Sequence, residues 1–193
     1  MSQLKNKTQT QKDREIRLRK WEWLLRRTFS HYARVATRQG IFELDLKDES
    51  ISRKMFILKQ YELKWTNRVV NFLEEKGYYK SSQKGTILDV GANNGVISIG
   101  MLYLRQFFRA IAIEPEPHNF SLLKKNTELN QFQDRMICLP YAISDKQGVL
   151  EFEVSKRYLG VHRVRRKTDA EAVIPINETE KRDIVKVPST TLE

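Results

Sequence analysis

Apolar residues recur at intervals of three and four over residues 12–38, where Leu18, Trp21, Leu25, Phe29, Tyr32 and Ala36 share one helical face and arginine and lysine fill most of the other. That spacing predicts a helix. Gly40 ends it, and residues 41–46 alternate with the period of two of a half-buried strand. A second helix is predicted over 52–76, with Trp65, Val69, Phe72 and Leu73 on one side and Gly77 as its stop. The polar stretch 81–85 reads as a linker. A regular order follows: strand 86–90, helix near 96–107, strand 110–114, helix 117–129 opened by Pro117, strand 135–140. Such alternation predicts a parallel sheet with right-handed crossovers. Residues 149–154 alternate like a further strand, 168–182 read as loop, and 184–187 are a short strand candidate.

Composition changes this picture at the N-terminus. Residues 1–11 are polar, without periodicity, and read as a disordered tail, which leaves 12–84 as an N-terminal extension and 85–193 as the main domain. The chain carries a net charge of +11, and eleven bases against three acids fall in its first forty residues. The basicity therefore belongs to the extension. The helix over 12–38 is read first as packing on its own domain with solvated arginines. Peripheral membrane contact is the sharper alternative and nucleic acid the remote one. Arg163-Val164-Arg165-Arg166-Lys167 reads as a solvated loop, with a substrate-facing anion site as its alternative. Cys138 is the sole cysteine, so an internal disulfide is excluded. No apolar run reaches signal-peptide or membrane-spanning length, and a cytoplasmic protein is expected.

The candidate chemistry lies in Asp89-Val90-Gly91-Ala92-Asn93-Asn94-Gly95, a strand end breaking into a glycine turn before a helix. Open parallel sheets receive nucleotide-like ligands at such places. A dinucleotide fingerprint would need a second glycine where Asn93 stands, which counts against a pyrophosphate. S-adenosylmethionine needs no pyrophosphate cradle. Asp89 would serve its amino group, backbone N–H groups near Gly91 and Asn93 its carboxylate, and Glu114, at the end of the next strand, its ribose diol. A tight turn without any ligand is the plain alternative. His31, His118 and His162 are the only histidines. A surface role is expected for His118, a small buried role for Cys138, and helix-end hydrogen bonding for Asn126 and Asn130.

The glycine turn is followed by Glu114-Pro115-Glu116-Pro117-His118-Asn119, then by Asn126 and Asn130, and by Ala142-Ile143-Ser144-Asp145 leading to Gly148. With Tyr61-Glu62 ahead of the turn, this order resembles the FkbM-type S-adenosylmethionine-dependent methyltransferases. The likeness is dense over 87–154, thinner over 40–77, and absent from the first forty residues. It implies an α/β, Rossmann-like fold, a parallel sheet with helices on both faces, and O-methylation of a sugar or secondary-metabolite hydroxyl. It implies cofactor contacts from Asp89, Gly91, Ala92, Asn93, Gly95, Glu114 and Pro115. Glu62 is placed with them, against a plain capping role. No metal is implied, and no catalytic base can be named. Glu193 stands before a Lys-Ile-Asp-x-Glu-Gly-like motif that continues the family pattern, so the C-terminal strands are expected to be missing and the piece to be a truncated, cofactor-binding part, inactive alone. Two rivals stay open: a degenerate domain that binds cofactor or a partner without turnover, and an RNA or protein methyltransferase with the same cofactor half.

Overall fold

The computed structural model describes residues 8–80, 82–155, 157–165 and 182–192. The first helix, α1 (Gln9–Phe29), starts inside the stretch expected to be tail. Thr8 closes a capping box there: its Oγ1 accepts from Gln11 N–H, and the Gln11 side chain accepts from Thr8 N–H at 3.0 Å. The helix stops nine residues earlier than its spacing suggested. Residues expected as its last turns form β1 (Tyr32–Thr37), which pairs antiparallel with β2 (Gly40–Asp45), Val35 opposite Phe42. The physical reason is a degenerate pattern, because Tyr32 and Ala36 share a face both at helical i, i+4 and at strand period two. The strand wins by burying Ala33 and Val35 beside Phe42 and Leu44.

The second expected helix is two, α2 (Ile51–Leu58) and α3 (Leu63–Glu75). Lys59 and Glu62 adopt left-handed backbone between them, at φ 58° and 49°. Gly77 does end α3, at φ 72°, with Gly77 N–H donating to Glu74 O and Tyr78 N–H to Leu73 O, a Schellman stop.

Strands β3 (Thr86–Val90), β4 (Arg109–Ile113) and β5 (Met136–Leu139) form a parallel sheet in that order, connected by α4 (Val96–Tyr103) and α5 (Pro117–Leu129). The core holds Ala110, Ala112 and Met136 of the sheet with Val96, Ile99 and Leu102 of α4 and Leu123 of α5. The opposite face leaves Leu88, Val90 and Ile137 exposed. The expected cover of helices on both faces is therefore corrected for α4 and α5, which share one face. Successive right-handed crossovers that step in one direction across a sheet deposit their helices on the same side.

The same core runs on through Phe42 and Leu44 of the hairpin, Met55 and Phe56 of α2, and Trp23 of α1. Asn126 and Asn130 of α5 fasten the hairpin to the sheet domain. Asn126 Oδ1 accepts Glu43 N–H at 2.7 Å and its Nδ2 donates to Glu43 O, while Asn130 Oδ1 accepts Ile41 N–H at 2.9 Å and its Nδ2 donates to Ile41 O. Two amides one helical turn apart match two residues of one strand edge, about 6 Å against about 7 Å. They act as a substitute strand and occupy backbone groups that would otherwise invite another chain.

A second sheet packs as a small unit around Ala142, Phe152 and Val187. Its order is β6 (Ala142–Ile143), β9 (Asp183–Thr190), β7 (Gly148–Val154), β8 (Arg163–Val164). Strand β9 is twice the length expected, since all seven residues of β7 pair with it. The loop expected over 168–182 lies, except for Arg182, outside the described residues, as do Arg166 and Lys167. Among the described residues no helix is long and apolar enough to cross a membrane.

Candidate functional site

The site is built at the C-terminal ends of β3 and β4. Beyond Val90 the chain turns at once: Gly91 N–H and Ala92 N–H both donate to Ile113 O, at 2.8 and 3.0 Å, tying the turn to the last residue of β4. Gly91, Asn93 and Gly95 take positive φ values of 83°, 51° and 85°. At Gly95 a Cβ would meet Leu123 Cδ1 at 2.7 Å and Ile99 Cδ1 at 2.9 Å, so glycine lets α4 lie against α5. At Gly91 nothing lies within 4 Å of where a Cβ would stand. That space opens into a cleft of about 310 Å³ lined by Gly91, Asn93, Glu114, Pro115 and Asn119 on the parallel-sheet side, and by Tyr141, Phe152 and His162 on the other.

Glu114 is the buried carboxylate of this cleft. Its Oε2 accepts Asn93 N–H at 2.8 Å and its Oε1 accepts Glu116 N–H at 2.9 Å. Desolvation nonetheless dominates and pushes its carboxyl up to about 7, against the pull of those two N–H groups and with the neighbouring Glu116 adding to the rise. Glu116 caps α5, accepting from His118 N–H and Asn119 N–H, with Pro117 at the first turn. Asp89 behaves differently. Its carboxylate accepts from Ser98 Oγ at 2.5 Å, its carboxyl is raised by burial, and it does not line the cleft.

Of the residues singled out in the sequence, the structure brings Gly91, Asn93, Glu114 and Pro115 together at the cleft. Ala92 and Gly95 shape the turn from behind it. Glu62 sits at the start of α3 beside Tyr61, whose hydroxyl burial pushes up to about 12, and it does not line the cleft. Among the described residues no group of His, Cys, Asp and Glu side chains is arranged to hold a metal. His118 is half-buried, and its Nε2 lies 2.8 Å from Asp45 Oδ2 of β2, which raises the imidazole and, against desolvation, lowers the Asp45 carboxyl.

The cleft's second wall had no sequence signal. Beside Tyr141 and Phe152 it is built by residues 157–162, clasped from two sides. Leu159 O accepts from Asn93 Nδ2 at 2.8 Å and Asn119 Nδ2 at 3.2 Å, while Leu159 N–H donates to Asp48 Oδ1 at 3.2 Å. The buried Asp48 also accepts from Ser50 N–H and Ser52 N–H, so one carboxylate starts α2 and holds the wall. His162 Nδ1 accepts Ser155 N–H at 3.1 Å, and burial lowers its pKa, so the neutral ring carries its proton on Nε2.

No family model and no curated protein matches the chain. Solved structures similar to it include PH0793 of Pyrococcus horikoshii, a presumed transferase, at 20% identity and a TM-score of 0.43 over 58% of this chain. A tRNA m1G37 methyltransferase of M. jannaschii is similar at 19% identity and TM-score 0.40 over 57%. So is Methanocaldococcus jannaschii Trm5 in complex with adenosine, at 20% and 0.40 over 56%. The chain spans about a third of their length, 37% of the first and 29% of each of the others.

Proposed function

We propose that this chain is the cofactor-binding part of an S-adenosylmethionine-dependent methyltransferase of the FkbM type, directed to a hydroxyl oxygen of a sugar or secondary metabolite. One observation carries the reading: the buried Glu114 carboxylate stands beside a glycine turn whose Gly91 leaves open space where a side chain would be. The residues fit the cofactor. Glu114 would accept from its ribose diol, and Tyr141 and Phe152 line the wall opposite. Glycine at 91 lets a ligand lie against bare backbone. Asp89 acts through Ser98 on α4, holding the turn from below rather than touching the cofactor.

Bound there, S-adenosylmethionine supplies an electrophilic methyl group on a sulfonium. The chain's own contribution is to bind, orient and exclude water, and positioning of this kind is where such catalysis draws its rate. The wall at 157–162, held by Asp48, Asn93 and Asn119 through Leu159, is the part that shields the cleft.

A second reading, binding without turnover, is favoured by a specific feature. Both Glu114 oxygens accept backbone N–H groups, and the His162 Nδ1 lone pair is taken by Ser155 N–H. His162 Nδ1 therefore has no lone pair left for the proton of an acceptor hydroxyl, and the lone pairs that Glu114 keeps are committed to the ribose. Calorimetric titration with S-adenosylmethionine, beside a methyl-transfer assay on hydroxylated sugars, separates the two. Heat without transfer supports the second reading, and the absence of binding removes both.

A further inference from the structure

The outward stripe of α1 points to a membrane partner. Leu18, Trp21, Leu25 and Phe29, spaced by three, four and four, were expected to face the domain. They do the opposite, at 59%, 73%, 63% and 84% exposed, while Trp23 is 1% exposed. The helix docks through Trp23, which packs edge-on against Phe56 with ring centres 5.4 Å apart, and through an Arg27–Glu49 ion pair. It is thus held with its more apolar side outward. A helix that buries one narrow stripe and shows another of Leu, Trp, Leu and Phe is built to contact something else.

Charge selects the occupant. Arg14 precedes Leu18 by four and Arg17 precedes Trp21 by four, so both continue the same exposed face toward the N-terminus. No ion pair among the described residues engages either, whereas Arg19 and Arg26 are paired with Glu15 and Glu22. A nucleic acid backbone offers nothing to Leu18, Leu25 and Phe29. A second copy would bring another net charge of +11 against this one. An anionic lipid surface accepts both features: the apolar side chains enter the acyl boundary, the Trp21 indole suits the headgroup level, and the guanidinium groups reach lipid phosphates.

We propose that α1 is an interfacial anchor that lays the Leu18–Trp21–Leu25–Phe29 stripe on an anionic membrane. The inference stands apart from the cofactor reading, since it uses no residue of the cleft.

The test is sedimentation of the full chain with vesicles of phosphatidylcholine alone or mixed with phosphatidylglycerol. Binding is expected to the mixed vesicles and to be weakened by salt. Neutralising both arginines in R14Q/R17Q should lower it about 25-fold, at about fivefold per lost charge. L18E/L25E should lower it at least about 100-fold. All four positions are exposed, so folding is spared, and an unchanged unfolding midpoint confirms it. In a W65F background, Trp21 fluorescence should shift to the blue on mixed vesicles, with the buried Trp23 silent. Failure of the wild-type chain to sediment with mixed vesicles would overturn the proposal, as would binding that survives L18E/L25E. So would wild-type self-association in ultracentrifugation that L18E/L25E abolishes, which would identify a second copy as the occupant.

Discussion

Glu114 should make cofactor affinity depend on pH through a single proton. Its carboxyl, held at about 7 by burial against an ordinary 4.5, is largely protonated in mildly acidic solution. A ribose diol presents two O–H donors, and only the carboxylate accepts both. Each pH unit below about 7 should therefore weaken binding about tenfold, or about 1.4 kcal/mol. At about pH 5 the affinity should lie about 100-fold below a plateau reached above about pH 8. The free protein should respond in the other sense. Above about 4.5 the unfolded chain has released the proton that native Glu114 still holds, so the native state binds more protons. Its stability then falls as pH rises from about 4.5 through about 7, by at most about 3 kcal/mol from this group. Calorimetric titration with S-adenosylmethionine at several pH values, in buffers of different ionisation enthalpy, measures both affinity and the proton released. E114Q, uncharged throughout, should bind weakly with no slope, which separates Glu114 from His118 and His162. Wild-type affinity that stays level between about pH 5 and 8, or a slope that persists in E114Q, would refute the placement of the ribose at Glu114.

Four further outcomes follow from particular contacts. Asn126→Leu leaves the backbone of Glu43 and the carbonyl of Asn94 without their partner, and urea unfolding should show a loss of about 2–4 kcal/mol. The glycines of the turn should separate: Gly91→Ala, strained only by its φ of 83°, should cost about 1 kcal/mol of stability while sharply weakening cofactor binding, whereas Gly95→Ala meets Leu123 and Ile99 and should cost about 2 kcal/mol or more. Asp45→Asn should return the raised His118 pKa toward its ordinary 6.5, followed by NMR; the stability that pairing adds is present below 6.5 and lost as pH rises through the raised value, and the variant should lack that loss. Asp48→Ala removes the acceptor of Leu159 N–H and of the first turn of α2, so hydrogen exchange at Leu159, Ser50 and Ser52 should accelerate together.

The periodic middle of the chain carries its own structure. The strand–turn–helix order over 86–139, the glycine turn and the position of Glu114 at a strand end are legible because strand period, helix caps and positive-φ glycines are local properties. Gly91, Asn93, Glu114 and Pro115, singled out on those grounds, line one cleft. Asp89 was placed at the right strand end, but which partner its carboxylate takes depends on Ser98 in the following helix. One element was misjudged where one spacing fits two structures: Tyr32 and Ala36 of β1 suit helix or strand until β2 pairs with them. The stripe of α1 that faces the domain was likewise a matter of what stood opposite, and Phe56 selected Trp23.

What the sequence by itself determined is the βαβ order with its acidic strand end and glycine turn, since each rests on neighbours along the chain. Only the tertiary structure decided the second wall of the cleft. Asp48 lies 111 positions from Leu159 in sequence, and Asn93 lies 66 from it. A buried carbonyl or N–H takes whichever donor or acceptor folding brings within about 3 Å, and no local pattern records that choice.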